Sequence, residues 1–233
     1  MTELLNLELT SVLLTLLAYQ AGAWLQKKTK SPVCNPILVG VVLVLVFMAL
    51  TGLENSTYQS SLVRLSWFMT PATVCLAIPM YQQVQVLKKH WKAMVAGIAA
   101  GALSCLIMVL VWAVVLRFDR ELTISLLPKS VTSAIGVPLS SLNGGIQSIT
   151  TAAIILTGIL ASVLGPMLCK LFRLEDELSR GVAFGTAGHV IGTAKASEFS
   201  PLTGAVSSLS LVTAGLLTAM VLPVFSALIP PVR

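Results

Sequence analysis

The sequence predicts an all-α, polytopic membrane protein of about six spanning helices with two irregular helical elements set among them. Three observations predict it. Of 233 residues, 56% are hydrophobic and only 10% charged, whereas a soluble domain needs roughly 25% charged residues to cover its surface. The mean hydropathy is +0.91. Apolar runs also recur along the whole chain at lengths near the ~20 residues that a helical crossing requires. Little is left for an extramembrane domain, so residues 1–233 read as a single transmembrane domain.

The apolar runs are residues 4–24, 36–53, 93–116, 147–169 and 203–229, with 62–86 as a weaker sixth. The sixth carries Pro71 and Pro79; each removes a backbone donor and crowds the preceding turn, which predicts a kinked helix. The first eight residues carry Glu3 and Glu8 and no Lys or Arg. A signal peptide needs a basic start, so a retained membrane helix is expected. Cys34, Cys75, Cys105 and Cys169 sit in or beside apolar runs without CxxC or His-Cys spacing. They read as small buried hydrophobes rather than as a disulfide or metal set, and no cofactor is implied.

The net charge of +6 is not a nucleic-acid footprint, because the bases fall in short clusters between apolar runs. Lys27, Lys28, Lys30, Lys88, Lys89, Lys92, Lys170, Arg173 and Arg180 lie on one side of the membrane. Arg64, Arg117, Arg120 and Arg233 lie on the other. An excess of Lys and Arg marks the cytoplasmic side, which places the N-terminus outside in an inner (plasma) membrane.

Two segments fit neither a loop nor a straight lipid-facing helix. Residues 122–146 read LTISLLPKSVTSAIGVPLSSLNGGI, and residues 181–202 read GVAFGTAGHVIGTAKASEFSPL. Irregular backbone survives at membrane depth only where protein or a water-filled cavity satisfies it. If 84–92 and 170–180 share a side, the helices between them already supply two crossings. Segment 122–146 should then enter and leave on the outer side, and 181–202 should dip in from the cytoplasm. Two discontinuous spanning helices are the alternative. Residues 148–166 also align without gaps on 205–223, superposing Gly158 on Gly215 and Pro166 on Pro223. Either this is chance between two small-residue helices, or it is an inverted repeat, which in transporters places the substrate site near the midplane.

The residues able to carry chemistry lie in those segments. Lys129 at membrane depth costs roughly 2.5–3.5 kcal/mol and needs an anion, carbonyls or water unless it snorkels outward. Ser130, Thr132 and Ser133 can cap a half-helix whose positive end suits a carboxylate or phosphate. Asn143, Gly144 and Gly145 form either a plain turn or the tip of a re-entrant element. In the second segment His189, Gly192 and Thr193 share a helix face. Lys195 and Glu198, three apart, can pair. His189 reads as a structural hydrogen-bonding residue, a proton relay or a substrate donor. An enzyme is not expected: HExxH, GxSxG and GxxxxGK[ST] are all missing from the sequence, and the glycine pattern follows no strand.

LLPKSVTSAIG at 126–136, NGGI at 143–146 and RGVAFGTAGHVIGTAKASE at 180–198 resemble the LrgB/CidB family, as does CNP at 34–36. The family includes bacterial inner-membrane proteins and the membrane domain of a plastid glycolate/glycerate translocator. The resemblance runs from about residue 30 to the end. It implies a substrate class of small monocarboxylates such as glycolate, glycerate, lactate or pyruvate, and a small LrgA/CidA-like membrane partner; homo-oligomerisation is left open. Lys129 and Lys195 would then meet the carboxylate, with Ser130, Thr132 and Thr193 positioning it. His189 would donate to a 2-hydroxyl or carry a coupled proton. Two positions depart from the pattern: Lys195 replaces an arginine, exchanging bidentate binding for a point charge, and Gln147 replaces a proline. The alternative that the resemblance implies is an antiholin-like modulator of murein hydrolase export and autolysis, acting through membrane protein contacts.

Overall fold

The computed structural model describes residues 2–29, 34–75, 77–227 and 229. Lys30 and Arg233, counted in the sidedness argument above, lie outside them. Every regular element among the described residues is helical. The chain divides into two compact units, Met1–Cys75 and Leu76–Arg233.

The first unit is built on α1 (Thr2–Thr29) and α2 (Pro36–Thr51). Asn35 starts α2 by accepting the Ile37 amide at 2.8 Å, with Pro36 at the first helical position where its missing N–H costs nothing. Gly52, at φ 68°, ends the helix with its amide on the Met48 carbonyl. The two helices pack backbone to backbone: a Cβ on Gly22 would stand 2.8 Å from Pro36, and one on Gly40 3.6 Å from Tyr19. α3 (Asn55–Ser61) is tied to α1 by Tyr58 and Thr15, hydroxyl to hydroxyl at 2.7 Å.

The weak run at 62–86 is not one kinked helix. It is divided into α4 (Val63–Ser66) and α5 (Met69–Cys75) in the first unit and α6 (Ala77–Gln82) and α7 (Val84–Lys89) in the second. Pro71 and Pro79 each fall third in a new helix, where the amide has no intrahelical partner anyway. They therefore restart helices rather than bend one.

Among the described residues three helices are long and apolar enough to cross a membrane, all in the second unit: α8 (Trp91–Leu116), α11 (Gln147–Leu171) and α13 (Pro201–Ala227). Each turns apolar side chains outward, Trp112 and Val114 on α8, Leu156 and Leu160 on α11, Leu216 and Met220 on α13. Such faces suit lipid or a protein partner rather than water. Between these spans lie two broken elements: α9 (Arg120–Leu126) with α10 (Ser133–Leu142), and α12 (Glu177–Ser197), which breaks at His189 (φ 42°, ψ −137°).

The second broken element is a re-entrant hairpin, not a discontinuous crossing. On its first arm Gly181 abuts Val206 and Gly185 abuts Ser207 and Ser210, so that arm runs parallel to α13. On its second arm Thr193 meets Ser207 and Gly204 abuts Ser197, so that arm runs antiparallel. The arms also touch each other, Gly192 against the Phe184 carbonyl and Phe184 against Phe199 at 5.6 Å between ring centroids. At 1.5 Å per residue the arms reach roughly 18 and 12 Å, about half of a 30 Å hydrocarbon core.

The first broken element is its counterpart from the opposite end. Arg120 at the mouth donates to the Ile229 carbonyl, beyond the end of α13, while Ile124 and Leu127 lie in one cluster with Leu222. α9 thus descends along the second half of α13. α10 returns parallel to α13, with Ile135 against Gly215 and Asn143 bonded to Ser226. The chain therefore alternates span, hairpin, span, hairpin, span, each hairpin entering and leaving on one side, as the parity argument expects.

Candidate functional site

The tips of the two hairpins lie at the level of the middles of the spans. The first tip is the turn Leu127–Thr132, held by Lys129 and Val131 amides on the Leu126 and Pro128 carbonyls. Ser130 and Val131 face a small cavity of about 10 Å³, which they share with Cys105 of α8, Thr186 of α12, and Ala214 and Thr218 of α13. Ala214 is the central residue of α13. A cavity this small is about the size of one water, so in this conformation the space between the tips is closed to a larger ligand.

The second tip is His189, 4% exposed, whose Nε2 donates to the Ile154 carbonyl of α11 at 2.9 Å. A carbonyl only accepts, so Nε2 carries the proton. The ring lies over Gly158, where a Cβ would come within 2.5 Å of it. Gly158 and Gly215 therefore do the same thing: each lets a hairpin of the other half approach the centre of its span. The same ungapped offset carries Thr132 of the first tip onto His189 of the second. With the hairpins entering from opposite ends, the repeat seen in the sequence is an inverted one.

A larger cavity, about 410 Å³, leads toward the tips between α8 and the first arm of α12. Its mouth is at the exposed Asp176 and Ser179, and its walls include Met94, Gly97 and Gly101. It ends at Thr186, which lines the small central cavity as well. Asp176 caps α12, accepting both the amide and the hydroxyl of Ser179 at 2.8 Å; these bonds, the hydroxyl first, hold its carboxyl below the usual carboxylate range.

The residues singled out in the sequence divide between these places. Lys129, half-buried at the first tip, donates from Nζ to Ser130 Oγ at 3.3 Å. Thr132 is the N-cap of α10 without a side-chain capping bond, and Ser133 is exposed on its first turn. Thr193 is fully buried and ties the second arm to α13 through Ser207 at 2.8 Å, its own hydroxyl near the His189 carbonyl at 2.9 Å. Gly192 supplies the close approach of the two arms.

The remaining residues do not join the tips. Asn143, Gly144 and Gly145 stand at the mouth of the first hairpin, as the turn into α11. Asn143 bonds to the Leu139 carbonyl and to Ser226, Gly144 has φ 91°, and Gly145 fits against Ser125 and Ser140. Gln147 occupies the first helical position of α11, the place proline favours, so the turn survives the exchange. Lys195 pairs with the exposed Glu198 at 2.5 Å near the mouth of the second hairpin. No contact joins the two lysines among the described residues. Nothing in the sequence pattern singles out Gly101 or Thr218, whereas Thr186 stands in the same polar stretch as His189 and Thr193.

The match to known families decides what this architecture belongs to. A model of the LrgB-like family matches residues 15–228. The chain belongs to the LrgB-like family. No solved structure matches it. Within the LrgB-like chain, the segments that carried the resemblance map onto the two hairpins: PKSVTSAIG makes the first tip and the return arm, and GTAGHVIGTAK the second.

Proposed function

We propose that this LrgB-like protein carries small monocarboxylates, such as glycolate, glycerate, lactate or pyruvate, across the membrane by alternating access. The observation that carries the reading is the pair of opposed half-membrane hairpins, with an ammonium and three hydroxyls, those of Lys129, Ser130, Thr186 and Thr218, gathered at or beside the tips. A cation at membrane depth beside hydroxyls is costly in a packing role and useful to a carboxylate ligand. Broken helices of an inverted repeat meeting at the midplane are the arrangement that lets one half rock on the other around a fixed site. On the sidedness that the lysines predict, the larger cavity faces the cytoplasm. A small LrgA-like membrane protein would act as partner, and a proton gradient would drive uptake.

Uptake of labelled glycolate and pyruvate into proteoliposomes, with and without that partner and under an imposed pH gradient, tests the proposal. Lys129→Ala should abolish uptake with protein levels intact. Lys195→Ala should retain most of it, because Lys195 is already neutralised by Glu198 away from the tips. No uptake in any arrangement would sink the carrier reading in favour of modulation of murein hydrolase export through membrane protein contacts.

A further inference from the structure

The two cavities share one wall residue, and that residue sits on a backbone constriction. Thr186 closes the inner end of the large cavity and lines the small one. Facing it, Gly101 has no side chain, and a Cβ there would lie 2.9 Å from Thr186 Oγ1 and 3.2 Å from its Cβ. Thr186 donates its hydroxyl to the Val182 carbonyl at 2.7 Å, so the side chain is held against the helix by a bond any threonine can make and break. One turn nearer the mouth the gap is looser: a Cβ on Gly97 would lie 3.3 Å from Val182.

We infer that Thr186 and Gly101 form the inner gate of the substrate pathway, through which a ligand entering between α8 and α12 reaches the hairpin tips. The structure is then a state open toward the Asp176 end and closed at Thr186. This rests on the carrier reading for its ligand, but the gate itself is a matter of aqueous access and can be tested without transport. On release, rotation of the Thr186 side chain or a small separation of α8 from α12 joins the two cavities.

Cys105 lies on the far side of the gate and lines the small cavity, which makes it a native reporter. With Cys34, Cys75 and Cys169 replaced by serine or alanine, a membrane-impermeant charged methanethiosulfonate reagent should modify Cys105 from the Asp176 side. Gly101→Leu should slow that modification by about tenfold or more, as expected for a closed gate. In a matching variant without Cys105, Ser179→Cys reports the mouth, and its labelling should be unaffected by Gly101→Leu; a thermal transition near the parent's shows the variant to be folded. Thr186→Ala should speed Cys105 modification. Equal Cys105 rates with glycine or leucine at 101, or faster modification from the opposite side, would overturn the gate. Absence of uptake by the parent, while Cys105 access still responds to Gly101→Leu and Thr186→Ala as expected, would instead count against the carrier reading alone.

Discussion

Replacing Gly192 by alanine separates a hairpin from a straight helix by the sign of a stability change. In a straight crossing, Gly192 would be an interior glycine, and alanine would stabilise by about 1 kcal/mol through helix propensity. In the structure a Cβ at 192 would stand 2.5 Å from the Phe184 carbonyl oxygen on the facing arm, a backbone atom eight residues earlier. The arms must then part by about 0.5 Å or more, and overpacking of this kind costs about 1–3 kcal/mol. Gly97→Ala is the control: it is an interior glycine of α8 whose Cβ would meet only a Val182 methyl at 3.3 Å, so a stabilisation of up to about 1 kcal/mol is expected. The assay is a denaturant titration of purified protein in mild detergent, comparing transition midpoints. Gly192→Ala matching or exceeding the parent in stability would refute the hairpin and restore a discontinuous crossing.

Other outcomes follow from the same geometry. His189→Ala loses the bond to Ile154 while keeping a backbone conformation that only glycine adopts freely; it should destabilise by about 1–2 kcal/mol. His189→Gly loses the same bond but relieves strain of about 1 kcal/mol, so in thermal denaturation it should be the more stable of the two; the opposite order would deny strain at the tip. Asp176→Ala removes the α12 cap and should cost about 0.5–2 kcal/mol at neutral pH. Because the folded carboxyl is held below its ordinary value, this stabilisation is complete above the unfolded pKa and disappears as pH falls through the folded one. Parent and Asp176→Ala curves should therefore converge in acid, and a constant gap down to the acid limit would argue against the carboxylate cap.

The sequence by itself determined membrane residence, helical class, family, and the existence of two broken elements. These follow from local quantities. Composition sets what the surface can face, apolar length sets what can cross, and the uncancelled polarity of 122–146 and 181–202 forbids a straight lipid-facing helix. The parity of crossings then constrains the hairpins without any knowledge of packing. The tertiary structure alone decided which residues meet. Serine and threonine in a membrane helix can each satisfy themselves on the carbonyl four residues back, as Ser208, Ser210 and Thr213 do, so their presence does not reveal which face a cavity. Thr186, Thr218 and Ser130 converge because α12, α13 and the first hairpin cross at one level, and Gly101 matters because α8 packs there. The same packing moved Asn143, Gly144 and Gly145 to a mouth, paired Lys195 away from Lys129, and made His189 the pin that holds one half of the repeat against the centre of the other.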